Sequence, residues 1–155
     1  MRELDSRFRE VQAKVHPDKH AHASDADQRL AMQWATRVNE AYQRLKTPLS
    51  RARYLLQLQG HDPQIESNTA MPVDFLMQQM ALREAVADAK VGADGTALES
   101  ARDDVVGDMK AAYRNLEQLI DQSRDYPAAS AVVRQLMFQE KLLQEIDDAL
   151  EAVYN

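Results

Sequence analysis

Residues 16–24 read His16-Pro17-Asp18-Lys19-His20-Ala21-His22-Ala23-Ser24, and the periodicity on either side of them decides the fold. Before them, Leu4, Phe8, Val11 and Val15 recur at helical spacing, so residues 3–15 read as a helix with one apolar stripe. Pro17 disfavours helical geometry at His16 and stops that helix. After the loop, Ser24 and Asp25 can cap a second helix, with Asp27 and Gln28 in its first turn. Leu30, Trp34, Val38, Ala41 and Leu45 then form a second apolar stripe. Each stripe must be buried against something, and a connection this short lets the two helices fold back on each other as an antiparallel hairpin.

Working outward, Thr47-Pro48 breaks the second helix, and a shorter one is expected over 49–59 with Ala52, Leu55 and Leu56 inward. Gly60 is its expected stop. Residues 61–71 are polar and contain Pro63; they read as a linker. Three longer helices follow, over 72–91, 96–123 and 127–153, with a turn at Gly92-Ala93-Asp94-Gly95. Leu98, Val105, Met109, Leu116 and Leu119 mark the inward face of the second. Val132, Leu136, Leu143, Ile146, Leu150 and Val153 mark that of the third. The expectation is an all-α protein: a helical hairpin plus a short helix over 1–60, then an antiparallel three-helix bundle over 72–155.

Composition narrows the function. Of 155 residues, none is cysteine, which excludes disulfides, thiolate zinc sites and thiol chemistry. No apolar run approaches the ~20 residues of a membrane span, and the Met1-Arg2-Glu3 start is not a secretory leader. A soluble cytoplasmic protein is the expected class. Charge is uneven. Residues 1–60 carry eleven Lys/Arg against seven Asp/Glu, whereas residues 61–155 carry eight against eighteen. Two modules with different partners are expected. The basic half has no aromatic-and-basic stripe, which argues against nucleic acid. No Gly-rich phosphate loop is present, which argues against an ATPase; no catalytic residue and no cofactor is expected in this chain.

The basic helix with Arg7, Arg9 and Lys14, the loop His16-Pro17-Asp18-Lys19, and the helix end Asn39-Glu40-Ala41-Tyr42-Gln43-Arg44-Leu45 together resemble a J domain. That module stimulates the ATPase of DnaK-type chaperones. The resemblance implies that these basic residues and the His16–Lys19 loop contact the chaperone. The physics agrees: Arg7 and Lys14 share a face and can steer toward an acidic surface, and Asp18 can take an arginine bidentately. Pro48-Leu49-Ser50-Arg51-Ala52-Arg53-Tyr54-Leu55-Leu56 narrows the resemblance to HscB-type J-proteins of iron–sulfur cluster assembly.

A third stretch, Phe75-Leu76-Met77-Gln78-Gln79-Met80-Ala81-Leu82-Arg83-Glu84, carries two apolar faces. Phe75, Leu82 and Val86 form the expected core face. Leu76, Met77 and Met80, with Glu84, form another, and methionine suits adaptable binding surfaces. The stretch resembles the segment by which HscB proteins bind the cluster scaffold IscU. The resemblance implies a scaffold patch of Leu76, Met77, Met80, Arg83, Glu84 and Asp88, with Phe138 from the last helix. Ala81 and Met71 depart from the family, which often has an acidic and a basic residue there. The partners implied are an HscA-like DnaK-type ATPase and an IscU-like scaffold.

The family's J domain has a further helix before the basic one, and this chain starts three residues before Leu4. Leu4, Phe8 and Val11 are therefore expected to be undercovered, lowering the module's stability or driving self-association through this surface. Two other readings stay open: a J-protein serving a different client, and a helical metal-binding protein using His16, His20 and His22 beside Asp25.

Overall fold

A computed structural model describes residues 2–63 and 71–154 of the chain. Among these residues there are helices and turns and no strand. The chain divides into two compact units, Met1–Leu55 and Leu56–Asn155.

In the first unit, α1 (Arg2–Val15) and α2 (Asp25–Lys46) form the expected hairpin. Phe8 stacks on Tyr42 with ring centroids 4.1 Å apart, and the Tyr42 hydroxyl donates to Asp5 Oδ1 at 2.9 Å. Ser24 caps α2, its Oγ accepting the Asp27 N–H at 3.2 Å. Of the α1 stripe, Leu4, Phe8 and Val15 are half-buried and Val11 is exposed. The α2 stripe differs from the expectation. Leu30 and Trp34 are 52% and 54% exposed, and Ala41 also faces water. Ala31 is buried instead, with Ala35, Val38, Tyr42 and Leu45 half-buried along the same heptad-spaced row. Val38 and Leu45 of the expected stripe thus lie on the inward row, and Ala31, Ala35 and Tyr42 replace Leu30, Trp34 and Ala41 on it.

Thr47 is extended before Pro48, which opens α3 (Pro48–Leu58). Arg51 Nη1 donates to the Leu45 carbonyl at 2.9 Å, fixing the start of α3 beside the end of α2. Leu49, Ala52 and Leu56 are buried, whereas Leu55, expected inward, is exposed. Gly60 ends the segment at φ +78°, the left-handed geometry expected of a glycine stop. The units divide between Leu55 and Leu56, inside α3. Pro63, at the start of the expected linker, is fully buried, and the His61 ring lies 5.7 Å from that of Tyr126. Residues 64–70 of that linker lie outside the described residues.

The second unit is the expected bundle of α4 (Val73–Val91), α5 (Gly95–Glu117) and α6 (Tyr126–Tyr154). A π-helical turn, Gln118–Ser123, prolongs α5, and Arg124 then reverses the chain in left-handed geometry at φ 53°. At the other reversal the left-handed residue is Ala93, φ 50°, between two glycines that could have taken the position more easily; nothing in the structure explains this. Asp94 caps α5 and Asp125 caps α6, each carboxylate accepting a backbone N–H three residues on.

Leu98, Val105, Met109 and Leu116 are buried on α5 as expected, with Leu119 half-buried. On α4, Val86 is buried, and Phe75 and Leu82 are half-buried. On α6 the inward face lies one residue from the expected one in places. Leu136 and Ile146 are fully buried as expected, but Val133 and Leu142 are fully buried too, with Ala129 and Ala149, and Val132, Leu143, Leu150 and Val153 are half-buried. Polar ties join the helices: Arg102 Nε to Asp147 Oδ1 at 2.7 Å, Arg83 Nη2 to Glu145 Oε1 at 3.4 Å, and the Tyr154 hydroxyl to Glu99 Oε1 at 2.9 Å. No helix among the described residues is long and apolar enough to cross a membrane.

Candidate functional site

Two surfaces, one on each unit, gather the residues singled out in the sequence. On the first, Pro17 converts the end of α1 into a single 3-10 turn, Pro17–His20. His16 is extended (φ −60°, ψ 127°), as the residue before a proline must be. Its Nδ1 accepts the Asp18 N–H at 3.3 Å, and its carbonyl accepts the Lys19 N–H at 3.0 Å. The same Nδ1 lies 3.6 Å from Asp18 Oδ2. The far side of the loop is braced from α2: Gln28 Nε2 donates to the Ala21 and Ala23 carbonyls at 3.1 and 3.0 Å. A His20 ring nitrogen sits 3.2 Å from the Lys14 carbonyl.

These bonds fix the backbone and leave Asp18 pointing outward, its side chain 89% exposed. His16, Asp18 and Lys19 share a shallow groove with Gln12 and Ala13 of α1. Arg7, Arg9 and Lys14 are all exposed on α1. Arg7 lies 3.6 Å from Glu10, and Arg9 Nε donates to the Asp5 carbonyl at 3.2 Å. The structure therefore presents an exposed carboxylate on a braced turn, with cations along the helix leading to it.

On the second unit, α4 turns its expected patch outward. Met77 and Met80 are 64% and 71% exposed, Leu76 is partly exposed, and Glu84 and Asp88 face solvent. Val73 and Val91 are exposed on the same side, at positions a whole number of turns from Met77 and Met80. Reading the stretch alone missed them; extending the Met77–Met80–Glu84 spacing in both directions finds them. Arg83 is turned toward α6, where it pairs with Glu145. In an up-down-up bundle α4 and α6 run parallel, so stepping back seven residues from that pair sets Leu76 and the half-buried Phe138 at one level. Met71 is half-buried, and Ala81 is exposed beside the patch.

His16, His20 and His22 are not assembled into a metal site. Among the described residues, no group of three or more His, Asp or Glu side chains is placed to hold an ion.

Several comparisons agree with this arrangement. Residues 71–147 match the family model described as the HSCB C-terminal oligomerisation domain. The chain is 51% identical over 148 residues to the co-chaperone protein HscB homolog of Ralstonia nicotianae, covering 96% of this chain and 84% of that one. It is 47% identical over 152 residues to the HscB homolog of an Azoarcus species, covering 98% and 86%. Its backbone is similar to that of chaperone HscB from Vibrio cholerae, with a TM-score of 0.85 and 36% identity over 97% of this chain and 88% of that one. The human co-chaperone HscB superposes with a TM-score of 0.86 at 26% identity, over 92% of this chain and 71% of the human one. Sequence and backbone agree over nearly all of its length, and the chain belongs to the HscB family of J-protein co-chaperones.

Proposed function

We propose that this co-chaperone of iron–sulfur cluster assembly works as a non-catalytic adaptor with two docking surfaces. The α4 patch of Leu76, Met77, Met80, Arg83, Glu84 and Asp88, with Phe138, holds an IscU-like scaffold. The turn His16-Pro17-Asp18-Lys19, with Arg7, Arg9 and Lys14, docks on an HscA-like DnaK-type ATPase and speeds its ATP hydrolysis. The proposed setting is the cytoplasm.

The observation that carries this reading is the braced turn with its outward carboxylate. The Asp18 carboxylate is 89% exposed, with His16 Nδ1 3.6 Å away on the same turn, so most of it stays open to a partner. A partner arginine would bind it bidentately, with little backbone entropy left to lose because the His16 and Gln28 bonds already fix the turn. The cations of α1 would speed encounter with an acidic chaperone surface. The exposed methionines would anchor the scaffold by apolar burial, at about 25 cal/mol per Å² removed from water. Joining both contacts in one chain raises the effective concentration of scaffold at the chaperone, so delivery and hydrolysis become coupled.

The test is the single-turnover ATPase rate of a DnaK-class chaperone with this chain, with and without IscU. Asp18→Asn is expected to remove stimulation while leaving scaffold binding intact. Leu76→Ala with Met80→Ala is expected to do the reverse. Stimulation that survives Asp18→Asn would sink the role of the turn, and unchanged scaffold binding in the double variant would point to a different client.

A further inference from the structure

Beside the methionine stripe, α4 and α5 enclose a groove lined by Gln78, Ala81, Leu82, Ala85, Asp104 and Asp108. Its α4 wall is apolar and shallow, because Ala81 and Ala85 end at Cβ and Leu82 is half-buried. Its α5 wall is anionic. Asp104 and Asp108 are one helical turn apart and both exposed. Gln78 Nε2 donates to Asp108 Oδ2 at 3.3 Å across one end of the groove. Asp74 lies one turn before Gln78, and Asp88 lies one turn after Ala85, so two further carboxylates stand on the same side of α4. No lysine or arginine lines the groove. Of the cations near it in sequence, Arg83 pairs with Glu145 and Arg102 with Asp147, both on α6, and Lys110, two residues past Asp108, is not among the residues that line the groove.

We propose that this groove receives a lysine or arginine side chain of the scaffold partner, so that the scaffold surface wraps from the methionine stripe around α4 onto α5. The inference rests on the scaffold-binding reading above, since the groove borders that stripe and Asp88 of the patch lies one turn beyond Ala85 of the groove. An apolar floor with carboxylates along one wall matches one kind of side chain: an aliphatic stem that lies on Ala81, Leu82 and Ala85, ending in a cationic head that reaches Asp104. A purely apolar side chain would leave the carboxylates unanswered, and an anionic one would be repelled. Asp104 and Asp108 are thus specificity determinants that reject scaffolds lacking a cation at this place.

The experiment is calorimetric titration of purified IscU scaffold into the full chain at low and high ionic strength. Asp104→Lys with Asp108→Lys is expected to weaken binding by about tenfold at low ionic strength and to flatten its salt dependence. Glu117→Lys with Asp121→Lys makes the same change of net charge away from the groove and is expected to shift affinity no more than about threefold. Ala81→Leu, which fills the floor without changing charge, is expected to weaken binding at both ionic strengths. If the lysine pair misfolds by circular dichroism, Asp104→Asn with Asp108→Asn replaces it, with loss of salt dependence as its readout. Binding by the groove variants that equals that of the Glu117/Asp121 control overturns the proposal. Failure of Leu76→Ala with Met80→Ala to weaken binding overturns the scaffold reading itself. Loss of binding there with no effect at Asp104 and Asp108 overturns the groove alone.

Discussion

Tyr42 joins the two helices of the first unit by two different forces. Its ring stacks on Phe8, and its hydroxyl donates to Asp5. The hydrogen bond to Asp5 is the main cause of a phenol pKa above its ordinary 10.0, with burial and the charge of Asp5 adding to it. A group whose folded pKa is raised contributes stability that is complete below the unfolded value. For Tyr42 the contribution is therefore whole at neutral pH and is lost as pH rises from about 10 through the raised folded value. Tyr42→Phe keeps the stack and removes the bond. It is expected to lower the hairpin's stability at neutral pH and to remove this part of its alkaline loss. Thermal unfolding followed by circular dichroism at pH 7 and at strongly alkaline pH checks both; an unchanged alkaline profile would refute the role of Asp5. The pairing was not legible as a bond in the sequence. Tyr42 entered there as part of a resemblance, and thirty-seven residues separate it from Asp5.

Among the elements, α6 best shows what periodicity can and cannot decide. Leu136 and Ile146 were placed inward from spacing alone and are fully buried. The stretch Ala131-Val132-Val133 and the pair Leu142-Leu143 offer apolar side chains at adjacent positions, so two registers satisfy the same pattern. The packed structure chooses Val133 and Leu142. Leu142→Ala is expected to cost about 2–5 kcal/mol, with a cavity left where the core cannot close. Leu143→Ala is expected to cost distinctly less, because part of its side chain already meets water. Chemical denaturation of the two variants separates the registers, and equal losses would place the face midway. On α2 the reading held for Val38 and Leu45 and missed at the other end, where it chose Leu30 and Trp34 by apolarity and the inward row runs through Ala31 and Ala35. The turn, caps and helix order were readable because proline, serine, aspartate and glycine act on their own backbone. Which neighbour's face a helix meets depends on residues far away in sequence.

Over the whole molecule, burial is unequally shared. Leu56, Pro63, Leu98, Val105, Val133, Leu136, Leu142 and Ile146, the largest fully buried side chains, all belong to the second unit. In the first, no residue of α1 is buried, and Ala31 is the buried residue of α2. The hairpin is therefore expected to open at lower free energy than the bundle. Native-state hydrogen exchange should show amides of α1 and α2 exchanging through a cheaper opening than those of α5 and α6; equal protection in both would contradict this. The fully buried Leu56 and Pro63 also settle where the second unit can be cut out as a fragment. A fragment begun at Met71, where the family match starts, would lack two fully buried residues of the second unit, and the His61 ring beside Tyr126. One begun within α3, ahead of Leu56, keeps all three.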